Sequence, residues 1–398
     1  MNRSKGGKAA TIFSYGLLVM TLTHVLTHVF GGIHTVVFSV LRDEFSLTLQ
    51  QLGIIAAIPP LCQAILAIPT GLLSDRIGSK KMIIISFAVA TLGAFLASQA
   101  VNPLMFIVAI CLVYVNTTIY HPASYSYTTK LFTSKNLSKT LGIHGAGGTL
   151  GHALGPLVVS IFIGLLAFEW RQVYFFLAWP MLLGIASTVF IKKVDENPVD
   201  GEKAMVKAGA SDQGSLLTSN LVMFLVFSGL RMMAGSMITT FIVLYLQDVK
   251  QMSIALASLV ASSRMLLGFL AAPLGGYMAA RVGEKRWLLR ILAFSYLVLG
   301  LSIVVPNTMW FTGMYATSGF CNTLVMAARS SIMAKLSPRR HRGLGYALYF
   351  LPGSLMGAVA PVLAGVVASS FGFDAIFYVS IAISVLGLAI LKFYVDVD

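Results

Sequence analysis

Twelve runs of about eighteen or more predominantly apolar residues make up most of this chain, and a helix of that length is what crosses a hydrocarbon core about 30 Å thick. They cover 12–41, 50–73, 82–99, 104–129, 140–166 and 172–191, then 217–246, 253–280, 287–305, 308–334, 343–370 and 374–394. Turn pairs such as Asn102-Pro103, Pro306-Asn307 and Ser337-Pro338 fall between them. Only 11% of the 398 residues are charged, against roughly 25% in a soluble domain, which excludes a soluble enzyme. The expected fold is an all-α membrane protein of twelve transmembrane helices. The longest runs need tilt or reach into the loops.

One polar stretch, 192–215, carries Asn197-Pro198, Asp200-Gly201 and mixed charges, and separates six runs from six. It reads as an interdomain linker between an N-terminal six-helix bundle, 1–191, and a C-terminal one, 216–398. The net charge of +14 would suggest a nucleic-acid partner in a soluble protein. Here 22 of the 28 Lys and Arg fall in alternate connections and tails, so the excess sets topology and calls for no nucleic acid. The expectation is a multi-pass protein of the cytoplasmic membrane, monomeric, with both termini cytoplasmic. Its basic N-terminus leads into an apolar run too long for the core of a cleaved signal. The opposite loops hold only Arg42, Arg171 and Lys250, while Arg231, Arg264 and Arg329 lie within runs. Cys62, Cys111 and Cys321 all fall inside runs, which argues against a disulfide framework.

The halves repeat one another. Gly71-Leu-Leu-Ser-Asp-Arg-Ile-Gly-Ser-Lys-Lys81, ending the second run, has a counterpart 205 residues on in Gly276-Tyr-Met-Ala-Ala-Arg-Val-Gly-Glu-Lys-Arg286. The same offset carries Lys130-Leu131 onto Lys335-Leu336 and Asp43 onto Asp248. Parallel six-helix repeats with a central linker mark a secondary transporter whose site lies between the halves. Gly71 permits close helix approach, Gly78 a tight turn, and Asp75 can meet a basic group or a helix N-terminus. With Arg76 and Arg281 these form a candidate cytoplasmic gate. The stretch resembles the loop signature of the major facilitator superfamily, with Ser79 where a basic residue is usual, and the second copy has Ala280 in place of the acid.

The fifth run carries Gly142, Gly151, Gly155 and Pro156, with spacing that resembles the antiporter motif of drug and proton exchangers in that superfamily, although Val159 and Ser160 replace its final glycines. Small residues at every fourth position let helices approach closely, and these four are expected to pack helices of opposite halves. Together with Leu22-Thr-His24-Val-Leu-Thr-His28, Glu44 to Thr48 and Tyr120-His121-Pro122-Ala123, the glycines resemble the fosmidomycin resistance branch. That resemblance implies proton-driven efflux of a small phosphonate. Acids are usual there at the position of His28, and an acid or a basic residue just after the His-Pro pair.

Arginine in mid-span costs roughly 2.5–3.5 kcal/mol and normally faces a cavity or a partner. Ser228, Arg231, Gly235 and Thr239 make one polar stripe, and Thr21, His24, His28 and Gly32 another, placed to face each other across a cavity. No acid lies deep in any run, so buried positive charge at Arg231 and Arg264 selects an anion. Arg329, six residues before Lys335, can snorkel to the surface. Six of the seven histidines lie in runs: His24, His28, His34, His121, His144 and His152. Histidine is the natural proton carrier where carboxylates are missing, and His28 and His121 are the first candidates. His24 and His28 share metal-ligand spacing, but with no deep carboxylate or thiolate pair nearby no metal is expected.

The expected function is alternating-access transport, not enzymatic and without a cofactor: efflux of a small organic anion in exchange for protons across a lipid bilayer. Arg231, Arg264, His24, His28, Asn116 and Tyr125 would contact the substrate, with Tyr120, Tyr127 and Asn322 as further neutral partners. The rival is an uptake carrier or exchanger for carboxylates or phosphate esters. A membrane metal enzyme would want an acid-bearing signature such as H-E-x-x-H, which is absent.

Overall fold

The computed structural model describes residues 14–131, 134–193, 218–336 and 342–397. Among these the first half forms α1 (Tyr15–Gly31), α2 (Phe38–Phe45), α3 (Leu49–Ile77), α4 (Ser79–Ser98), α5 (Pro103–Leu131), α6 (Ser134–Val159) and α7 (Trp170–Val189). The second forms α8 (Ser219–Asp248), α9 (Ile254–Val282), α10 (Glu284–Val304), α11 (Thr308–Leu324), α12 (Met326–Leu336), α13 (Arg342–Phe371) and α14 (Phe373–Tyr394). Nine helices of the described residues are long and apolar enough to cross a membrane, and Tyr15–Gly31 and Ile254–Gly268 are shorter apolar ones. Most of the expected linker, from residue 194, lies outside the described residues, as does the basic N-terminal stretch.

Side-chain caps begin the helices where the sequence places a hydroxyl or amide. Ser14, Thr48, Thr218, Ser253 and Asn307 each accept a hydrogen bond from the backbone N–H three residues on. Prolines sit inside α3, α5, α6, α7 and α13 without ending them. Neighbouring helices re-satisfy the backbone groups that proline frees in a membrane bundle.

The first apolar run is broken, contrary to the single helix its hydropathy suggests. α1 stops at Gly31, and 32–37 close by tighter turns such as Ile33 N–H to Phe30 O and Val36 N–H to Ile33 O before α2 begins. The Gly31-Gly32 pair weakens the helix, and the β-branched run Thr35-Val36-Val37 gives little propensity to resume it. The tenth run is likewise interrupted, at Val325 between α11 and α12.

The 205-residue repeat is visible atom by atom. Gly78 and Gly283 end one helix and start the next with φ of 91° and 92°, a conformation open to glycine. Ser79 donates to Ser126 at 3.1 Å in the first half, and at the equivalent place Ser331 donates to Glu284 at 2.8 Å, with Lys335 Nζ 3.0 Å from the same carboxylate. Within the first half α4 packs on α5 and α7, and α1 on α6; within the second α9 packs on α11, and α8 on α13 and α14.

The halves meet chiefly through α3 on α13 and α6 on α9. These contacts gather toward the end of the bundle away from residues 14 and 397. A Cβ on Gly365 would lie 2.6 Å from Leu49 O and one on Gly53 2.5 Å from Pro361 O, so backbone meets backbone there. Gln50 donates to Ser369 Oγ at 2.9 Å, Ser160 to Ala255 O at 2.7 Å and Ser262 to Ala153 O at 2.6 Å. Arg42 grips Asp248 with two nitrogens, Nη2 at 3.0 Å, across the halves. This end of the molecule is sealed.

Candidate functional site: an arginine-lined cavity and a histidine cluster

Inside the seal lies a cavity of about 680 Å³ between the halves. Its first-half wall includes the broken stretch of the first run, with Gly31, Gly32, His34 and Thr35, plus His152 of α6 and Tyr114 of α5. The second-half wall holds Arg231, Gly235 and Thr239 of α8, Arg264 of α9, Asn322 of α11 and Arg329 of α12. No Asp or Glu lines it among the described residues. Arg231 Nη1 donates to Asn322 Oδ1 at 3.2 Å, and the Arg264 guanidinium lies 5.3 Å from the Tyr315 ring centre. Arg264 Nη1 and Arg329 Nε are buried without a hydrogen-bond partner among the described residues. A buried donor left unmade costs about 1–3 kcal/mol, more when charged, so both nitrogens call for an acceptor.

At the first-half wall five imidazoles cluster, four of them in series. His152 on the cavity packs its ring 4.1 Å from that of His28; His28 Nε2 lies 3.1 Å from His24 Nε2; His24 stacks 4.2 Å from His144. His121 stands beside the row, 5.2 Å from His24 and 5.1 Å from His28, with a buried Nδ1 that has no partner. Backbone acceptors assign the tautomers. The carbonyl of His144 takes a hydrogen bond from His24 Nδ1 at 2.6 Å, and the carbonyl of Met20 one from His144 Nδ1 at 3.1 Å. A carbonyl only accepts, so both Nδ1 atoms carry hydrogens. A neutral His24 then offers Nε2 as acceptor, His28 donates from its own Nε2, and the His28 Nδ1 is left with a free lone pair. His24, His28 and His121 bring one nitrogen each within 4.8 Å of one another, close enough to be gathered around an ion that favours imidazole. In the structure the nearest two hydrogen-bond to each other.

The structure sorts the sequence expectations. Arg231 and Arg264 do line the cavity, as do Gly235, Thr239 and Asn322. His24, His28, Asn116 and Tyr125 lie outside the lining of this cavity. Of the first-run stripe only Gly32 reaches the cavity, because its upper members fit the groove that the α6 glycines open: Gly147 faces Thr21 O, and Gly148 the His24 and His28 rings. Asn116 is buried with its Nδ2 unpartnered, and Tyr125 packs against His121 and His144 while half exposed. Arg329, expected to snorkel, instead lines the cavity. The fifth-run glycines, expected between opposite halves, include two that the structure sets against α1 of their own half. Gly151 faces Val25 O and Gly155 faces Val29 O at 2.7 Å, both on α1 of the same half, while nothing among the described residues lies within 4 Å of a Cβ on Gly142. Pro156 packs on Gly32 of α1 and lines the cavity.

Of the gate residues, Gly71, Asp75 and Arg76 fall on the last turns of α3, with the Asp75 side chain outside those described. Gly78 makes the turn that follows, and Arg281 lies over the Tyr277 ring of its own helix at 4.4 Å. His34, Tyr114 and His152 went unassigned to the cavity at the sequence level. The break after Gly31, signalled by the glycine pair, would have pointed to His34.

The family model described as Major Facilitator Superfamily matches residues 20–259 and 225–398. The chain belongs to the Major Facilitator Superfamily. It is 22% identical over 392 residues to the fosmidomycin resistance protein of Escherichia coli (strain K12), covering 94% of this chain and 92% of that one. It is also 22% identical over 404 residues to a hexuronate transporter of Bacillus subtilis (strain 168), covering 95% and 93%. A solved bacterial homologue of the human lysosomal transporter Spinster, in an inward-facing and occupied conformation, superposes with a TM-score of 0.81 at 15% identity, covering 95% and 96%. As a superfamily member with membrane-spanning helices, the chain is a multi-pass membrane transporter of a small molecule and not an enzyme.

Proposed function

We propose that this chain is a proton-coupled secondary transporter of a small organic anion, working by alternating access. The observation that carries the reading is the cavity itself, walled by Arg231, Arg264 and Arg329 with no acid among its described lining residues. An acceptor-rich anion meets the open donors on Arg264 and Arg329 and offsets charge that is costly at that depth. His28 and His121 carry the proton within the histidine cluster, and Asp75 with Arg76 gates the cytoplasmic side. The chain acts as a monomer in the cytoplasmic membrane with both termini inside. In that orientation the sealed end is extracellular and the state is inward-facing.

Export is the direction supported by the likeness to a fosmidomycin resistance protein. A second reading, uptake of a carboxylate or phosphate ester, is supported by the placement of His152 in the same cavity as the arginines.

Thermal stabilisation of the purified protein by a panel of anions and cations tests the anion reading. Anions should raise the melting temperature and cations should not. Arg264→Ala should weaken the stabilising anion by about 10- to 100-fold, the equivalent of one charged hydrogen bond of about 1.5–3 kcal/mol. Stabilisation by cations alone, or counterflow that persists in Arg231→Ala and Arg264→Ala, would sink it.

A further inference from the structure

The reading above leaves open whether proton and anion compete or cooperate. We propose that they bind cooperatively and cross the membrane in the same direction, with His152 and His28 as the point where the added proton meets the anion. The proposal rests on the anion reading and decides between its two directions.

The groups facing the cluster fix the sign. From α1 come His24 and His28; from α5 Tyr120, His121 and Tyr125; from α6 His144 and His152. Across the cavity from His152 stand Arg231, Arg264 and Arg329. No carboxylate is among these groups. Competition between a proton and an anion needs an internal rival for the arginines, such as a carboxylate that pairs with them once deprotonated and leaves them once protonated. The described lining offers none. Here the proton taken up converts a neutral imidazole to a cation, and nothing leaves the arginines or returns to them. An added positive charge on the wall can only favour the anion.

The tautomers show where that proton goes. His24 Nδ1 and His144 Nδ1 are already committed as donors to carbonyl oxygens, and His28 Nε2 donates to His24. The open lone pair of His28 Nδ1 and the ring of His152 packed against it are the basic positions nearest the cavity. Mutual repulsion among rings 4–5 Å apart limits the cluster to about one charge. For charges on the order of 10 Å apart in an effective dielectric of about 20, Coulomb's law corresponds to about a 15-fold strengthening of anion binding. By reciprocity the anion raises the affinity of the cluster for its proton by the same factor.

The probes are glucuronate and nitrate, whose charge does not change between about pH 5.5 and 7.5. Affinity of the purified protein for them should rise about 5- to 20-fold toward the acid end. His28→Gln should bring that ratio toward one, whereas Arg264→Gln should lower affinity at both pH values and keep the ratio. In proteoliposomes holding a pH-sensitive dye, glucuronate entering down its gradient should acidify the lumen. Alkalinisation, or entry with no pH change, overturns the proposal while leaving the anion reading intact. Failure of both probes to bind at either pH overturns the anion reading and the proposal with it. One transition-metal ion retained per wild-type chain, and lost in His28→Gln, would also overturn it, since an occupied cluster cannot take the proton.

Discussion

Gly155 and Gly142 belong to one sequence motif, yet only one of them is under a packing constraint. A methyl on Gly155 would lie 2.7 Å from Val29 O and 2.9 Å from the Gly32 Cα, and neither backbone can yield without moving α1. Gly155→Ala should therefore lower the melting temperature of the detergent-purified protein, by about 1–3 kcal/mol of stability. Gly142→Ala meets nothing within 4 Å among the described residues and should be neutral or slightly stabilising, through a helix propensity gain of up to about 1 kcal/mol. A scan in which Gly142→Ala is the more damaging would contradict this placement. Glu44 is another residue whose surroundings decide its behaviour. Hydrogen bonds from Arg171, outweighing the opposing pull of burial and joined by Trp170, hold its carboxyl below the ordinary range. A depressed carboxyl contributes stability that is complete above its unfolded pKa and lost as pH falls through the folded one. The gap in melting temperature between wild type and Glu44→Gln should thus be constant above about pH 5 and close at lower pH.

At the level of helices, the first run shows what hydropathy hides. Composition reads 12–41 as one span, but Gly31-Gly32 and the β-branched residues after it divide the run, and the break supplies His34 and Thr35 to the cavity. Discontinuous helices at a midplane site are a recurrent transporter device, because irregular backbone is tolerated where it lines a cavity. The seal is likewise a matter of elements meeting. Arg42 reaches Asp248 from α2 to the end of α8, and the position equivalent to Asp248 in the repeat, Asp43, bonds only the same arginine among the described residues, at 3.4 Å. Only one copy of the pair joins the halves. Cross-linking of a Gln50→Cys, Ser369→Cys double variant by a short thiol-specific reagent reports closure, since the native Gln50 amide reaches Ser369 Oγ at 2.9 Å. Adding Asp248→Asn should slow that cross-linking, by about fivefold at most, because a partly exposed ion pair contributes little. An unchanged rate would show that the backbone contacts of α3 and α13 hold the seal alone.

For the molecule as a whole, the division of labour between the halves is asymmetric although their helices repeat. The first half carries the histidines and the second the arginines, and the cavity exists only where the two walls face each other. Periodic apolar runs and alternating basic loops were enough to read a membrane-embedded helical protein, a two-fold internal repeat and membership of a transporter family, because length, hydropathy and charge placement act locally along the chain. The same reasoning found Arg231 and Arg264, since an arginine at mid-span has few places to go. It could not tell which face of α1 turns toward the cavity. That depends on the groove opened by Gly147, Gly148, Gly151 and Gly155 of α6, which draws His24 and His28 behind the wall and leaves His152 on it. Nor could it join five histidines from three helices into one cluster, or bring Arg329 to the cavity. Such juxtapositions arise from close packing between segments far apart in sequence, and no local pattern encodes them.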